Sequence, residues 1–324
     1  MVFIVGTAFV NGWTDAPNAI ACAVSTGAMK YRKAAWMAGV LNLLGLLASY
    51  FAGAMVADTI FSLTSFEGDS GAALTALGAA MISVLVFAVI AWRAGIPTSE
   101  SHALISALSG AGIALGGMAS INPESWFKVI TGLIISLLLG FGLGKLLYLM
   151  LGGAVRALDV RTLDRLQIFS AGGMAFMHGV QDGQKFVAIF IMADLLARGM
   201  APAGAVPLGE HLAVVLLCGL TIALGTSVGG GRIVELVGNK MVQLDKPRGV
   251  CADISGAVCL LIASIFGIPM STTHTKTTAM MGVAGRRADT AVVRGIVFTW
   301  VVTFPVCGLL GWGITRVLTL AASG

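Results

Sequence analysis

The sequence predicts an all-α polytopic membrane protein made of two inverted-topology repeats. Each repeat has three spans, the first of them broken, and one re-entrant helical hairpin broken at a proline. Three observations carry this. The 324 residues are 57% hydrophobic and only 11% charged, with a mean hydropathy of +0.93, whereas soluble domains carry roughly 25% charged residues. Apolar stretches of spanning length, about 17–25 residues, recur along the chain. The order of parts in the first half returns in the second. The apolar runs are continuous rather than alternating, which argues against a β-barrel, and the 43 glycines suit helices packed closely in lipid.

Residues 1–28 form the first apolar segment, broken by Asn11-Gly12-Trp13-Thr14-Asp15-Ala16-Pro17-Asn18. It has no basic leader or cleavage site and reads as the first span. A basic loop with Lys30, Arg32 and Lys33 leads to a span over 34–57, then to an acidic loop with Asp58, Glu67 and Asp69. Apolar helices over 72–92 and 98–118 flank Pro97, and a span over 126–150 closes the first repeat, residues 1–151. Residues 152–167 are polar and amphipathic, with Arg156, Arg161 and Arg165 balanced by Asp159 and Asp164, and read as a cytoplasmic linker.

The second repeat, residues 168–324, follows the same scheme. Its first span, 168–197, is interrupted by His178-Gly179-Val180-Gln181-Asp182-Gly183-Gln184-Lys185. A loop with Pro202, Pro207 and Glu210, a span over 211–228, and a basic loop with Arg232, Lys240, Lys246 and Arg248 come next. Helices over 250–266 and 271–284 flank Pro269; Arg286, Arg287 and Arg294 close that hairpin, and 295–318 is the last span. Phe9–Asp15 aligns with Phe176–Asp182 at an offset of 167 residues. Gly95-Ile96-Pro97-Thr98-Ser99-Glu100-Ser101-His102 aligns with Gly267-Ile268-Pro269-Met270-Ser271-Thr272-Thr273-His274 at an offset of 172.

If each Pro-broken hairpin returns to the face it entered, each half crosses three times and the halves are inverted. One set of loops then holds thirteen Lys and Arg residues and the opposite set only Arg198. The positive-inside rule makes the basic loops cytoplasmic and both termini extracellular, in a multi-pass protein of the plasma membrane. The net charge of +5 sits in those loops and speaks to orientation, not to nucleic acid. Cys22, Cys218, Cys251, Cys259 and Cys307 lie in apolar segments without CxxC or metal spacing, so neither a disulfide framework nor a zinc site is expected.

Asp15 and Asp182 stand at equivalent places within apolar spans. An acid at membrane depth costs several kcal/mol or more and marks function by default. Breaks in corresponding positions of two halves point to a transporter's binding site. Ser99, Ser101, Ser271, Thr272 and Thr273 open the second helix of each hairpin, where free N–H groups, the dipole and hydroxyls favour an oxyanion; N-capping is the plain alternative. His102 and His274 follow, as proton-linked groups or structural ones. Lys185 lies one turn beyond Asp182, as its ion-pair partner or as an anion ligand. Asn11, Thr14, Asn18, Gln181 and Gln184 offer neutral oxygens beside the two acids, suited to a coupling cation. Glu100 has no acidic counterpart, since Thr272 stands there; it reads as a proton-linked acid or as a partner for Arg93.

The Asn11–Ile20 stretch, the His178–Lys185 stretch and the two Gly-Ile-Pro-x-Ser-x-(Ser/Thr)-His stretches together resemble the PiT inorganic phosphate transporters. The resemblance covers nearly the whole chain, with four motifs in order. It implies two inverted repeats with re-entrant hairpins, a homodimer in the bilayer, and cation-coupled uptake of inorganic phosphate. It also assigns the paired Asp residues and the hairpin Ser/Thr residues to the substrate and coupling-ion site. The chain departs from the family pattern at Thr14-Asp15 and Gln181-Asp182, where members carry Asn-Asp. Those Asn side chains look like sodium ligands in the family, so both H+ and Na+ stay open as the coupling ion. Sodium in that role is the one cofactor-like ion expected.

A prokaryotic relative of the family is a sulfate permease. Phosphate near neutral pH keeps a P–OH donor that a carboxylate accepts, whereas sulfate has none and is repelled. Two other readings weigh less. An intramembrane aspartyl protease would use two acids, but the Gly-x-Gly-Asp pattern is missing before Asp15 and Asp182. A passive anion channel has no need of acids in its pocket. The expectation is therefore a transporter and not an enzyme.

Overall fold

A computed structural model describes residues 1–53, 55–66, 69–96, 98–200, 205–206, 208–242 and 244–323. The expected break at Pro97, the acidic-loop residue Glu67 and the loop prolines Pro202 and Pro207 lie outside the described residues. The described chain is helical throughout, with a single isolated β-bridge between Thr64 and Ile121.

The first half contains α1 (Val2–Thr14), α2 (Pro17–Ser25), α3 (Tyr31–Ala52), α4 (Met55–Phe61), α5 (Ser70–Ala94), α6 (Glu100–Gly116) and α7 (Pro123–Arg156). The second contains α8 (Val160–Ala197), α9 (Leu212–Val228), α10 (Gly231–Glu235), α11 (Lys246–Ile265), α12 (Thr272–Ala284) and α13 (Thr290–Ser323). Among the described residues, six helical stretches are long and apolar enough to cross a membrane: Tyr31–Ala52, Ser70–Ala94, Glu100–Ser120, Pro123–Arg156, Lys246–Ile265 and Thr290–Ala322. Leu212–Val228 with Gly231–Met241, bent by 63° between them, makes a seventh.

Local sequence explains the ends. Asp69, Asn122, Asp159 and Asp245 cap α5, α7, α8 and α11 through side-chain oxygens that accept first-turn N–H groups. Gly95 ends α5 with φ +68°, a conformation that costs other residues a steric penalty. Between α1 and α2 the helix stops at Asp15 and Ala16, and Pro17 restarts it as the first residue of α2. Proline lacks an N–H and clashes with the preceding turn, and it is readily accepted as the first residue of a new helix.

One expectation is corrected here. The span over 168–197 is not broken at Gln181-Asp182: α8 runs for 38 residues without interruption. The residue corresponding to Pro17 is Gln184, which keeps its N–H, and nothing forces a stop. The stretch 152–167 is largely helical. Residues to Arg156 belong to α7 and those from Val160 to α8, so only a three-residue turn joins them.

Packing between the halves is reciprocal. The helix that opens each half lies on a helix of the other, α1 on α9 and α8 on α3. Likewise α6 packs on α13, and α12 on α7. Gly12 of α1 faces the Ile222 carbonyl, and Gly179, 167 residues later, faces that of Asn42. A Cβ at either position would overlap the neighbouring backbone, so glycine sets how near the helices come. Helix α8 is surrounded by α2, α3, α4, α9 and α11 and is buried along most of its length. It can therefore carry polar side chains that a lipid-facing helix could not.

Candidate functional site

The α1–α2 break, the middle of α8 and the starts of α6 and α12 converge on one buried cluster. Asp15 and Asp182 are each 1% exposed. Ligand atoms of Asp15, His178 and Asp182 lie within 4.8 Å of one another. Like charges so close repel strongly where water is excluded, so the site requires a cation, donated hydrogen bonds or both.

Each acid meets the hairpin of the opposite half. Thr272 Oγ1 donates to Asp15 Oδ2 over 3.4 Å and Thr273 Oγ1 donates to Asp15 Oδ1. Asn18 Nδ2 donates to the Asp15 carbonyl (3.0 Å), to its Oδ1 (3.2 Å) and to Thr273 Oγ1 (3.1 Å). In the other half, Ser101 Oγ donates to Asp182 Oδ1 over 3.4 Å, and Lys185 Nζ donates to Asp182 Oδ1 and Ser101 Oγ, both at 2.6 Å, and to the Met270 carbonyl at 2.8 Å. Asn11 Nδ2 donates to Asp182 Oδ2 over 3.1 Å, which links the two halves.

The remaining expected residues take other roles around the cluster. Ser99 and Ser271 are N-caps, accepting from the backbone N–H of His102 (3.3 Å) and His274 (3.2 Å). Gln184 Oε1 accepts the N–H groups of Val56 and Ala57 at the start of α4. Gln181 binds the loop before α12: its Nε2 donates to the Ile268 carbonyl and to Ser264, and its Oε1 accepts from Met270 N. Thr14 donates to the Val10 carbonyl and to Glu100. Glu100 is thus a third buried acid in the cluster, while Arg93 is exposed. His102 and His274 pack edge to face with ring centroids 4.4 Å apart, walled by Phe304 and Trp300 of α13.

Sequence reasoning missed two features. Asn42 Oδ1 lies 3.2 Å from His178 Nδ1, and His178 Nε2 lies 3.4 Å from Asp182 Oδ2, so Asn42 fixes the histidine that backs the acid. Asp253 of α11 and Lys276 of α12 form a fully buried ion pair, with Gln167 and Ser170 donating to Asp253. The signal was available: an acid and a lysine inside apolar stretches are uncommon enough to single out.

Residues 11–160 and 154–311 match the model of the phosphate transporter family. A probable low-affinity inorganic phosphate transporter of Bacillus subtilis (strain 168) is 33% identical over 311 residues, covering 94% of this chain and 91% of its own. One from Rhizobium meliloti (strain 1021) is 36% identical over 315 residues, covering 93% and 90%. The solved structure of a sodium-dependent phosphate transporter has the same fold, with a TM-score of 0.86 over 98% of both chains at 23% identity. The chain belongs to the phosphate transporter family and is a multi-span membrane protein. The expected family and the all-helical membrane fold are borne out, and the protease reading is set aside, since these relatives are transporters.

Proposed function

We propose that this member of the phosphate transporter family imports inorganic phosphate across the plasma membrane by symport with a monovalent cation, H+ or Na+. The single observation that carries the reading is the crossed pairing of acids and hairpins: Asp15 with Thr272 and Thr273, Asp182 with Ser101. Hydroxyls at two helix N-termini suit an oxyanion. Carboxylates beside them accept the P–OH that phosphate retains and sulfate lacks. A coupling cation would lie against the acids, among oxygens of Asn11, Thr14 and Asn18.

The reciprocal packing supports a division into repeats 1–151 and 168–324 related by inversion, with the basic loops cytoplasmic and both termini outside. The cluster is closed on all sides, so loading and release need movement of one hairpin against the other, the alternating-access scheme of secondary transporters. A homodimer is part of the proposal, and cross-linking in native membranes tests it.

The deciding experiment is radiolabelled phosphate uptake into proteoliposomes under imposed Na+ or H+ gradients, with sulfate and arsenate as competitors. We expect uptake driven by one of the gradients, competition by arsenate and little competition by sulfate. Uptake indifferent to both gradients removes symport, and sulfate outcompeting phosphate removes the substrate.

A further inference from the structure

Lys185 and Asn18 occupy equivalent places, each three residues past its acid and 167 residues apart. Their geometry is equivalent too. Asn18 bridges Asp15 and Thr273, and Lys185 bridges Asp182 and Ser101. The chemistry differs by one full charge. An ammonium group has three donors and no acceptor, and all three donors of Lys185 are taken, by Asp182, Ser101 and the Met270 carbonyl at 2.6–2.8 Å. None is left for an anion. The ammonium thus sits among oxygens, as a bound cation would.

Asp15 has no such partner: among the described residues no Lys, Arg or His forms an ion pair with it. Beside it, the amide oxygen of Asn18, whose nitrogen donates to Asp15, is buried without a hydrogen-bond partner, as is that of Asn11, whose nitrogen donates to Asp182. Buried carbonyl oxygens are rarely left unsatisfied, and these are the hard, neutral ligands that a small cation takes.

We propose that Lys185 is a tethered counter-cation that permanently fills one of two equivalent cation sites, so that a mobile cation is taken up at Asp15 and not at Asp182. The protein then moves one fewer cation per phosphate than the same scaffold with asparagine at both places. This rests on the symport reading above. It makes Lys185 a residue that sets stoichiometry rather than an anion ligand, and it predicts that the two halves exchange roles if their side chains are exchanged.

The test is the cation-to-phosphate ratio. It is read in proteoliposomes from the Na+ gradient, pH gradient and membrane potential at which net radiolabelled phosphate flux reverses. Lys185→Asn, which copies the first half, is expected to raise the ratio by one and to make uptake more sigmoidal in the driving cation. Asn18→Lys, which copies the second half, is expected to lower it by one, and Lys185→Arg to leave it unchanged. An unchanged ratio in Lys185→Asn with a phosphate KM raised tenfold or more overturns the proposal in favour of an anion ligand. If Lys185→Asn does not fold, Asn18→Lys decides, and an unchanged ratio there overturns it. Folded but inactive protein in both variants also overturns it. Wild-type protein that shows no gradient-driven phosphate uptake fails the symport reading itself, which is a separate result.

Discussion

The hydroxyl of Thr273 donates to the carboxylate of Asp15 across 258 residues of sequence. It is the contact in which the acid of one half becomes part of the other half's hairpin. Thr273→Val keeps the volume and removes the donor. A hydrogen bond to a charged group is worth about 1.5–3 kcal/mol, so the initial rate of phosphate uptake per folded protein should fall about 10- to 100-fold.

Asp15→Asn and Asp182→Asn should each abolish gradient-driven uptake. Their stabilities should differ. Asp15→Asn removes a carboxylate held by hydroxyls and an amide. Asp182→Asn leaves the buried ammonium of Lys185 without its counter-charge, and breaking one side of a buried pair costs about 3–5 kcal/mol. Thermal melting in detergent should therefore be markedly lower for Asp182→Asn. Equal melting of the two would contradict this account of Lys185.

Lys276→Met should also destabilise, because it strands Asp253. Adding Asp253→Leu should recover much of the loss, since a well-packed apolar pair often equals a buried ion pair. The double-mutant cycle, read by melting, gives the coupling directly. Losses that merely add would show the pair to be uncoupled.

Gly179→Val should reduce the yield of monodisperse protein sharply, because its Cβ would meet the Asn42 backbone and overpacking costs about 1–3 kcal/mol or more. Gly142, with open space where a Cβ would stand, should tolerate alanine. Size-exclusion profiles of the two variants check this.

Much of this was legible in the sequence, for physical reasons. Lipid demands long apolar runs, so spans stand out. A charge inside a span is costly, so Asp15 and Asp182 stand out too, and their offset of 167 residues exposes the duplication. What stayed hidden depends on side-chain direction. Gln181 and Gln184 carry amides as Asn11 and Asn18 do, yet one binds the loop before α12 and the other caps α4. The motif around Asp182 resembles the one around Asp15 closely enough to suggest a second break, yet with glutamine and not proline at 184 the backbone keeps its N–H and α8 runs on. The single asparagine Asn42 in α3 gave no pattern, because its partner His178 belongs to another helix.

The crossed packing of α6 on α13 and α12 on α7 bears on how the chain is made. The hydroxyl of Ser106 in α6 donates to the Phe304 carbonyl of α13, and His102 rests on the Phe304 ring. Between the end of α6 at Gly116 and the start of α13 at Thr290, a ribosome working at 5–20 residues per second spends on the order of 10 to 35 s. For that time Ser106 and the ring of His102 lack their partners on α13. Helix α13 is the one that covers them, so the first hairpin completes its packing only after most of the second half has been made.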